Sequence, residues 1–181
     1  MVASWLYSQA SFSQEMIMSI RDASAGDASQ IAEIYNHYIE TSIATFELDP
    51  IYASEMERRM AEVISAGYPF FVAEIDGEVV GYAYGHSYRV RPAYRHSVEV
   101  SVYIRDGRGG GGVGTALYER LFAEIGKGDF HAVIAGISLP NEASVRLHEK
   151  FGMTQVAHFR EVGRKFDRWI DVGYWELILT K

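Results

Sequence analysis

The hydrophobic pattern at the start of the chain changes from a period of two to a period of three and four. Side chains over residues 16–21 alternate as in a β-strand. From Asp27, a residue type favoured at helix N-caps, apolar positions recur at helical spacing and predict an amphipathic helix over 28–40. Residues 51–66 carry a second apolar stripe, which ends near Gly67. The pattern therefore opens with one strand and two helices.

Three strands follow without a helix between them. Residues 69–75 and 78–87 are β-branched and aromatic runs, and Asp76-Gly77 between them is typical of a two-residue hairpin turn. Residues 88–96 carry several arginines and are interpreted as an exposed loop, and 97–104 as the third strand.

The rest of the chain alternates helices with strands. It predicts a helix over 113–125, a strand over 132–137, a helix over 141–150, and strands over 153–161 and 170–179 around a basic, turn-rich segment at 163–168. This order predicts an α+β fold, in which a mixed sheet carries helices on both faces. We expect a single domain over 15–181, preceded by an N-terminal tail over 1–14 that is a candidate partner-contacting arm.

Composition excludes several classes of function. Hydrophobic residues make up 48% of the 181 residues, which suffices for a folded core, and the net charge of −7 lacks the basic footprint of nucleic-acid binding. The chain has no cysteine, so it offers neither a thiolate metal site nor a cysteine nucleophile. No apolar run approaches the roughly 20 residues of a membrane span, and no basic residue precedes Arg21 as a secretory signal would require. We expect a cytoplasmic protein that does not bind membranes.

The most informative local feature is the glycine-dense segment that joins the third strand of the hairpin region to a predicted helix. It contains Gly107, Gly109, Gly110, Gly111, Gly112 and Gly114. A glycine loop at a helix N-terminus presents backbone N–H groups to a phosphate or pyrophosphate. The alternatives are a merely flexible loop, or a dinucleotide fingerprint, since Gly107, Gly109 and Gly112 also fit G-x-G-x-x-G. A P-loop is disfavoured because Thr115-Ala116 stands where its lysine is needed.

Polar residues near this loop are candidates for catalysis. Glu99 lies within a strand between Val98 and Val100, and either faces solvent or acts as a general base. Asn141 is a natural N-cap, and His148 lies two helical turns later, where packing is the alternative to a catalytic role. The six histidines show no metal-binding spacing, so we predict no metal site.

Four separated motifs occur in order along the chain. They are Ile34-Tyr35-Asn36-His37-Tyr38 with Glu40-Thr41-Ser42, the run from Tyr94 to Tyr103, the run from Asn141 to Glu149, and the run from Trp169 to Trp175. Together they resemble the GNAT family of acetyl-CoA-dependent N-acetyltransferases, and more narrowly its phosphinothricin and methionine sulfoximine acetyltransferases. The resemblance covers residues 19–179. It implies a mostly antiparallel sheet that contains one splayed parallel pair.

The resemblance also implies roles for individual residues. Glu99 would be the general base and His148 the general acid. Acetyl-CoA would be bound by the splayed strand, the glycine loop and the following helix, through Val102, Tyr103, Ile104, Gly110, Gly111, Gly112, Val113, Gly114, Thr115, Asn141 and Ser144. The sequence departs from the family pattern at Gly109 and Gly111, where Arg or Gln and Lys are common, although Arg108 is one residue away from the first position.

The expected acceptor is a small amino-acid-like amine, acetylated directly because no cysteine can hold the acetyl group. Its candidate binding residues are Tyr35, Thr41, Phe46, Arg89, Arg91 and Arg95, the arginines being suited to a carboxylate or phosphinate. The resemblance further implies a homodimer. Three alternatives stay open at this point: a protein or peptide N-acetyltransferase, a non-catalytic CoA-binding module, and a nicotinamide-dependent enzyme.

Overall fold

The computed structural model describes residues 18–180, so the predicted N-terminal tail lies outside the described residues. The strands are β1 (Met18–Asp22), β2 (Phe70–Ile75), β3 (Glu78–Ser87), β4 (Ser97–Ile104), β5 (Ala132–Leu139), β6 (Thr154–Lys165) and β7 (Arg168–Ile178). The helices are α1 (Ala28–Thr41), α2 (Ala53–Ser65), α3 (Val113–Ile125) and α4 (Glu142–Lys150), with short 3₁₀ turns at Ala25–Asp27 and Pro92–Tyr94. The predicted order of elements is confirmed.

All seven strands form one sheet in the order β1-β2-β3-β4-β5-β7-β6. Every neighbouring pair is antiparallel except β4 and β5, which run parallel because α3 crosses between them. The predicted mixed, mostly antiparallel sheet is therefore confirmed.

Two hydrophobic clusters cover the two faces of the sheet. Ile31, Ile34, Met56 and Met60 of α1 and α2 pack with Tyr82 on one face. Leu117, Leu121 and Ile125 of α3 pack with Val98 and Val100 on the other. Residues 98 and 100 thus point away from residues 99 and 101, since side chains alternate along a strand. Glu99 consequently faces the α1–α2 side.

The segment 163–168, predicted to be a turn-rich connection, is mostly strand. β6 continues to Lys165 and β7 begins at Arg168, so the turn is only Phe166-Asp167, with φ values of 50° and 56°. Positive φ at both positions is the geometry of a type I′ turn, which lets the strands remain paired up to the turn. The pairing register between β6 and β7 shifts between Phe159 and Gly163. Glu161, with a φ of 56°, lies in this β-bulge.

Asp27 lies at the start of α1 as predicted, but its side chain does not cap the helix. Its carboxylate accepts hydrogen bonds from both terminal nitrogens of Arg21, at 2.8 and 2.7 Å, and from the backbone N–H of Ser24. Asp27 is buried, and these donors lower the pKa of its carboxyl from 3.8 to about 2, with the Arg21 hydrogen bond the largest cause. Asp27 therefore joins β1 to α1 through an ion pair. Within residues 18–180, no helix has the length and hydrophobicity that a bilayer span requires.

Candidate active site

The parallel pair β4–β5 separates partway along its length. Ser97, Val98 and Glu99 pair with Ala132, Val133 and Ile134, and no register pair follows. Both strands continue for several residues, to Ile104 and Leu139, so their later halves diverge. The divergence leaves backbone groups of β4 without a partner on the β5 side. It also opens the sheet immediately after Glu99.

A cleft of about 610 Å³ occupies this opening and extends to the N-terminus of α3. Its wall includes every predicted cofactor-binding residue except Gly111, which is exposed outside it. The wall also contains Gly136 and Ser138 of β5 and His148 of α4. The structure thus brings the splayed strand, the glycine loop and the start of α4 together around one space.

The glycine loop reaches α3 through a left-handed backbone. Gly107, Gly110 and Gly112 have φ values near 80°, and Gly112 is the N-cap of α3. The first turn of a helix has no internal acceptors for its N–H groups. The amides of Val113, Gly114 and Thr115 are therefore free to bind an anion at the positive end of the helix dipole.

The charge of the cleft wall is opposite to that of the chain. Arg108, Arg146 and Lys150 line it, whereas no aspartate or glutamate does so among residues 18–180. The chain as a whole carries 24 acidic and 17 basic residues. A cationic wall in an acidic protein, next to free helix amides, favours a ligand with several negative charges.

Glu99 lies where the cleft meets the α1–α2 face. It is half-buried, directly opposite His86 of β3. A methyl group on Gly136 would lie 3.7 Å from its Oε1 atom, so the carboxylate borders the opening between β4 and β5. Burial raises the pKa of Glu99 above 4.5, and electrostatic interactions with His86 and Arg89 oppose this only in part. These are suitable properties for a general base.

His148 is buried against Tyr118 of α3. Its Nδ1 lies 2.7 Å from the carbonyl oxygen of Ser144, which can only accept, so Nδ1 carries the hydrogen. Burial lowers the pKa of His148, which favours the neutral ring. In the neutral ring Nε2 is then an acceptor, and the Tyr118 hydroxyl donates to it at 2.8 Å. The role of His148 as general acid stays a prediction, since this arrangement also serves packing.

A second cavity, of about 270 Å³, lies on the α1–α2 face. Aromatic side chains dominate its wall: Tyr35, Phe70, Tyr82, Tyr84 and His86, with Arg59 and Glu62 of α2 at its side. His86 and Tyr84 pair across the sheet with Glu99 and Ser101, and directly paired residues share a face. The cavity is therefore adjacent to the Glu99 carboxylate.

The predicted acceptor-binding residues are not gathered in one place. Tyr35 lines the aromatic cavity and hydrogen-bonds Thr45 at 2.7 Å. Thr41 is exposed, and its hydroxyl donates to the carbonyl of His37 in its own helix. Phe46, in the loop after α1, packs its ring against Gly163 of the β6–β7 hairpin, where any side chain at position 163 would collide with it.

The three arginines all lie in the exposed 88–96 loop. The guanidinium of Arg89 stacks over Tyr88, 4.1 Å from the ring centre, and its charge acts on Glu99. Arg91 and Arg95 are exposed, and within the described part of the chain neither forms an ion pair. Their position leaves them available to an anionic group that approaches from solvent.

Sequence reasoning missed several residues of the cleft wall, and three of them carry polar side chains that other roles already explain. Tyr118 has the spacing of the apolar stripe of α3 and was indistinguishable from core. Tyr38 donates a hydrogen bond of 2.7 Å to the carbonyl of Ile104, at the end of β4. Lys150 ends α4, where a lysine is also explained by the helix dipole. Only the tertiary structure separates these residues from ordinary core and surface positions.

Comparisons with known proteins agree with this geometry. Residues 20–173 match the family model described as an acetyltransferase (GNAT) domain. The phosphinothricin N-acetyltransferase of Streptomyces coelicolor is 40% identical over 162 residues, which cover 88% of this chain and 95% of that protein. The L-methionine sulfoximine/L-methionine sulfone acetyltransferase of Salmonella typhimurium is 37% identical over 169 residues, 91% of this chain and 96% of that protein.

A crystal structure of a GNAT superfamily phosphinothricin acetyltransferase from Sinorhizobium meliloti, in complex with acetyl-CoA, superimposes with a TM-score of 0.87 at 34% identity. It covers 91% of this chain and 89% of that one. Sequence and structure agree over nearly the whole length described. The chain belongs to the GNAT family of acetyltransferases.

Proposed function

We propose that the protein is an acetyl-CoA-dependent N-acetyltransferase acting on the amino group of a small amino-acid-like substrate of the phosphinothricin or methionine sulfoximine type. The observation that carries the proposal is the opening of the β4–β5 ladder directly after Glu99. This opening joins a cationic cleft to a half-buried carboxylate. The named activities of the relatives from Streptomyces and Salmonella support the choice of acceptor class.

The cleft fits CoA in size and charge. Its volume of about 610 Å³ lies within the range of 300–1,000 Å³ typical of ligand sites. The free amides at the start of α3 are suited to a diphosphate. The edge of β4 beyond Glu99, where β5 no longer pairs, is suited to an amide-containing arm along Val102 and Tyr103. Bound acetyl-CoA supplies the acetyl group as a thioester.

Glu99 prepares the acceptor for reaction. An α-amino group has a pKa of about 8 and is mostly protonated at pH 7, so its proton must be removed before the nitrogen can act as a nucleophile. The Glu99 carboxylate accepts this proton, directly or through one water. Its raised pKa reduces the difference between the pKa of the carboxyl and the pKa of the amine. The unpaired N–H groups of β4 after Glu99 supply hydrogen bonds for a carbonyl oxygen that gains negative charge. Transfer is direct in this proposal: the amine nitrogen forms its bond to the acetyl carbon as the C–S bond of the thioester breaks, and coenzyme A leaves as the thiolate. The chain has no cysteine that could carry the acetyl group.

The aromatic cavity next to His86 holds the acceptor's side chain, with Tyr35 in its wall. Arg89, Arg91 and Arg95, in the exposed loop after β3, provide positive charge for a carboxylate or phosphinate. Thr41, at the end of α1, and Phe46, on the loop after it, line neither cavity, and the proposal keeps them as candidate acceptor contacts. The proposal thus assigns the thioester to the cleft and the amine to the α1–α2 face, with Glu99 between them.

The test is an acetyl-transfer assay with an acceptor panel. Acetyl-CoA is mixed with methionine sulfoximine, phosphinothricin, methionine, a primary amine without a carboxylate, and a short peptide, and both thiol release and the mass of the product are measured. We expect N-acetylated product with at least one of the first two compounds, and much less with the amine or peptide. Better turnover of the peptide would favour a protein N-acetyltransferase. Binding of acetyl-CoA without transfer to any acceptor would favour a non-catalytic module, and stabilisation by NAD but not by CoA would overturn the proposal.

The proposal includes a homodimer and a cytoplasmic location. β6 is an edge strand of 12 residues, and Val156, Phe159 and Val162 on it and Trp169 on β7 are exposed. A long apolar edge is an aggregation risk unless it is covered, and a second copy would cover it. Sedimentation should give twice the chain mass of 20.3 kDa, and Val162→Lys should shift it towards the monomer. A wild-type monomer at micromolar concentration would contradict this part, and cell fractionation tests the location.

A further inference from the structure

A lysine of the β6–β7 hairpin is buried without a carboxylate partner. Lys165 exposes only 4% of its surface, and within residues 18–180 no carboxylate lies within ion-pair distance of its ammonium. Its N–H donors are directed at backbone carbonyls instead: those of Ser42 at 2.8 Å, Thr45 at 2.9 Å and Tyr38 at 3.4 Å. Burial lowers the pKa of Lys165, because it disfavours the charged ammonium. One side chain thus holds the end of α1 and the loop that follows it.

The hairpin makes a second contact with this loop, residues 42–46. Gly163 lies two residues before Lys165 on β6, in regular pairing with β7, so both positions lie on the same face of the strand. The ring of Phe46 occupies the space that a side chain on Gly163 would need. The hairpin therefore holds the loop through an ammonium at one position and through the absence of a side chain at the other.

The 42–46 loop borders both cavities of the candidate site. Ala44 lines the cleft. Thr45, the next residue, shares a hydrogen bond of 2.7 Å with the hydroxyl of Tyr35, which lines the aromatic cavity. Ser138, in the cleft wall, donates to the carbonyl of Ile43 at 2.5 Å. A displacement of this loop would therefore change the walls of both cavities at the place where they come closest to each other along the chain.

We propose that Lys165 is a positioning residue, which holds the 42–46 loop between the cleft and the aromatic cavity and so aligns the acceptor amine with the thioester. The inference rests on the proposed function, because it assumes that acetyl-CoA occupies the cleft and that the acceptor occupies the aromatic cavity. Lys165 itself lines neither cavity and takes no part in proton transfer. Its effect on the reaction passes through the loop.

The experiment measures steady-state kinetics with whichever of methionine sulfoximine and phosphinothricin the wild type acetylates. The wild type is compared with Lys165→Met, which keeps most of the side-chain length but has no N–H donor, and with the control Lys127→Met. Lys127 is exposed and paired with Glu124 away from both cavities, so its variant makes the same change in net charge. Rates are normalised to the acetyl-CoA bound per chain, which removes the contribution of unfolded protein.

We expect Lys165→Met to raise the acceptor KM and to lower kcat/KM for the acceptor by about 10- to 100-fold, because the loop loses its donors and the alignment is relaxed. The Kd of acetyl-CoA should stay within about twofold of the wild type. Lys127→Met should change none of these quantities. If Lys165→Met does not bind acetyl-CoA, Lys165→Arg replaces it: the charge is kept, but the planar guanidinium cannot reproduce the geometry of an ammonium, so the acceptor KM should again rise.

A second variant tests whether the effect passes through the loop. Thr45→Val removes the hydroxyl that contacts Tyr35 and should raise the acceptor KM about three- to tenfold. Its effect should shrink in the Lys165 variant, because both changes release the same loop. Additive effects would overturn the inference.

An acceptor KM equal to that of the wild type in the Lys165 variant would show that the lysine only stabilises the fold, and would also overturn the inference. The same conclusion would follow from a raised Kd of acetyl-CoA with an unchanged acceptor KM. Failure of the wild type to acetylate any acceptor would instead overturn the proposed function.

Discussion

Replacing Glu99 by glutamine separates proton removal from every other function of the site. Glutamine has nearly the same shape as glutamate but cannot accept the proton of an ammonium group at neutral pH. With an ordinary carboxyl pKa of 4.5 and an amine pKa of about 8, transfer of the proton is uphill by about 3.5 pKa units, or about 5 kcal/mol. Burial of Glu99 raises its pKa and reduces this cost, and glutamine removes the route altogether.

We expect Glu99→Gln to lower kcat by about 10²- to 10³-fold at pH 7, within the range typical of a lost general base. The Kd of acetyl-CoA should stay within about twofold of the wild type, because the cleft wall is unchanged. The pH profile provides the sharper result. Wild-type kcat/KM should fall as pH decreases through the raised pKa of Glu99, above 4.5, whereas the variant should lose this limb and gain activity with the free-base fraction of the amine.

Glu99→Gln should raise the stability of the fold although it lowers kcat. The folded-state pKa of Glu99 is raised, so the ionised carboxylate is destabilising, and this cost is absent well below pH 4.5 and grows as pH rises through the folded-state value. Glu99→Gln should therefore unfold at higher urea concentration than the wild type at pH 8, and at a similar one at pH 4. A variant that keeps more than a third of the wild-type kcat, or that keeps the acid limb, would refute the assignment of Glu99 as the base.

The remaining predictions concern the fold and the buried histidine. Asp27→Asn should lower the free energy of unfolding by about 2 kcal/mol at pH 7, because the carboxyl pKa is about 2 in the folded protein and 3.8 in the unfolded chain. In urea titrations, the stability difference between wild type and variant should shrink as pH falls from 4 towards 2. Phe166→Asn should raise the unfolding free energy by roughly 0.5–1 kcal/mol, because asparagine tolerates positive φ, while the control Phe166→Val should lower it. Tyr118→Phe should cost about 1–3 kcal/mol and raise the pKa of His148, measured by NMR, because Nε2 loses its donor; an unchanged pKa would show that the hydroxyl does not donate to it.

The elements that sequence reasoning placed correctly are those with local signals. Asp76-Gly77 provides a type I′ turn by itself, and Asn141 caps α4 by accepting from the Ser144 N–H three residues later. The end of β6 was misplaced because its signal is not local. Its strand structure depends on pairing with β7, and the turn is formed by Phe166, a residue with no preference for positive φ.

The residues of the candidate site also divide into those with a local sequence signal and those without one. Glu99 and the glycine loop are unusual in their local sequence, as a carboxylate inside an apolar strand and as a cluster of glycines, and both lie at the opening in the sheet. Tyr118 and Lys150 occupy positions where core packing and helix charge already explain a tyrosine and a lysine. Their place in the cleft follows from the packing of α3 against α4, which no spacing within either helix specifies.

The position of Glu99 and the shape of the site have a common origin. A parallel ladder that continued beyond Glu99 would fill the opening with backbone hydrogen bonds and leave no cleft. On β5, Gly136 lies two residues after Ile134, the last residue that pairs with β4, and a methyl group on it would lie 3.4 Å from the ring of Tyr174 and 3.7 Å from Glu99 Oε1. The absence of a side chain there keeps open the space beside the carboxylate, which is where an amine must approach to lose its proton. The same break in pairing thus creates room for the thioester, exposes donors on β4 and leaves Glu99, the proposed base, at the edge of both.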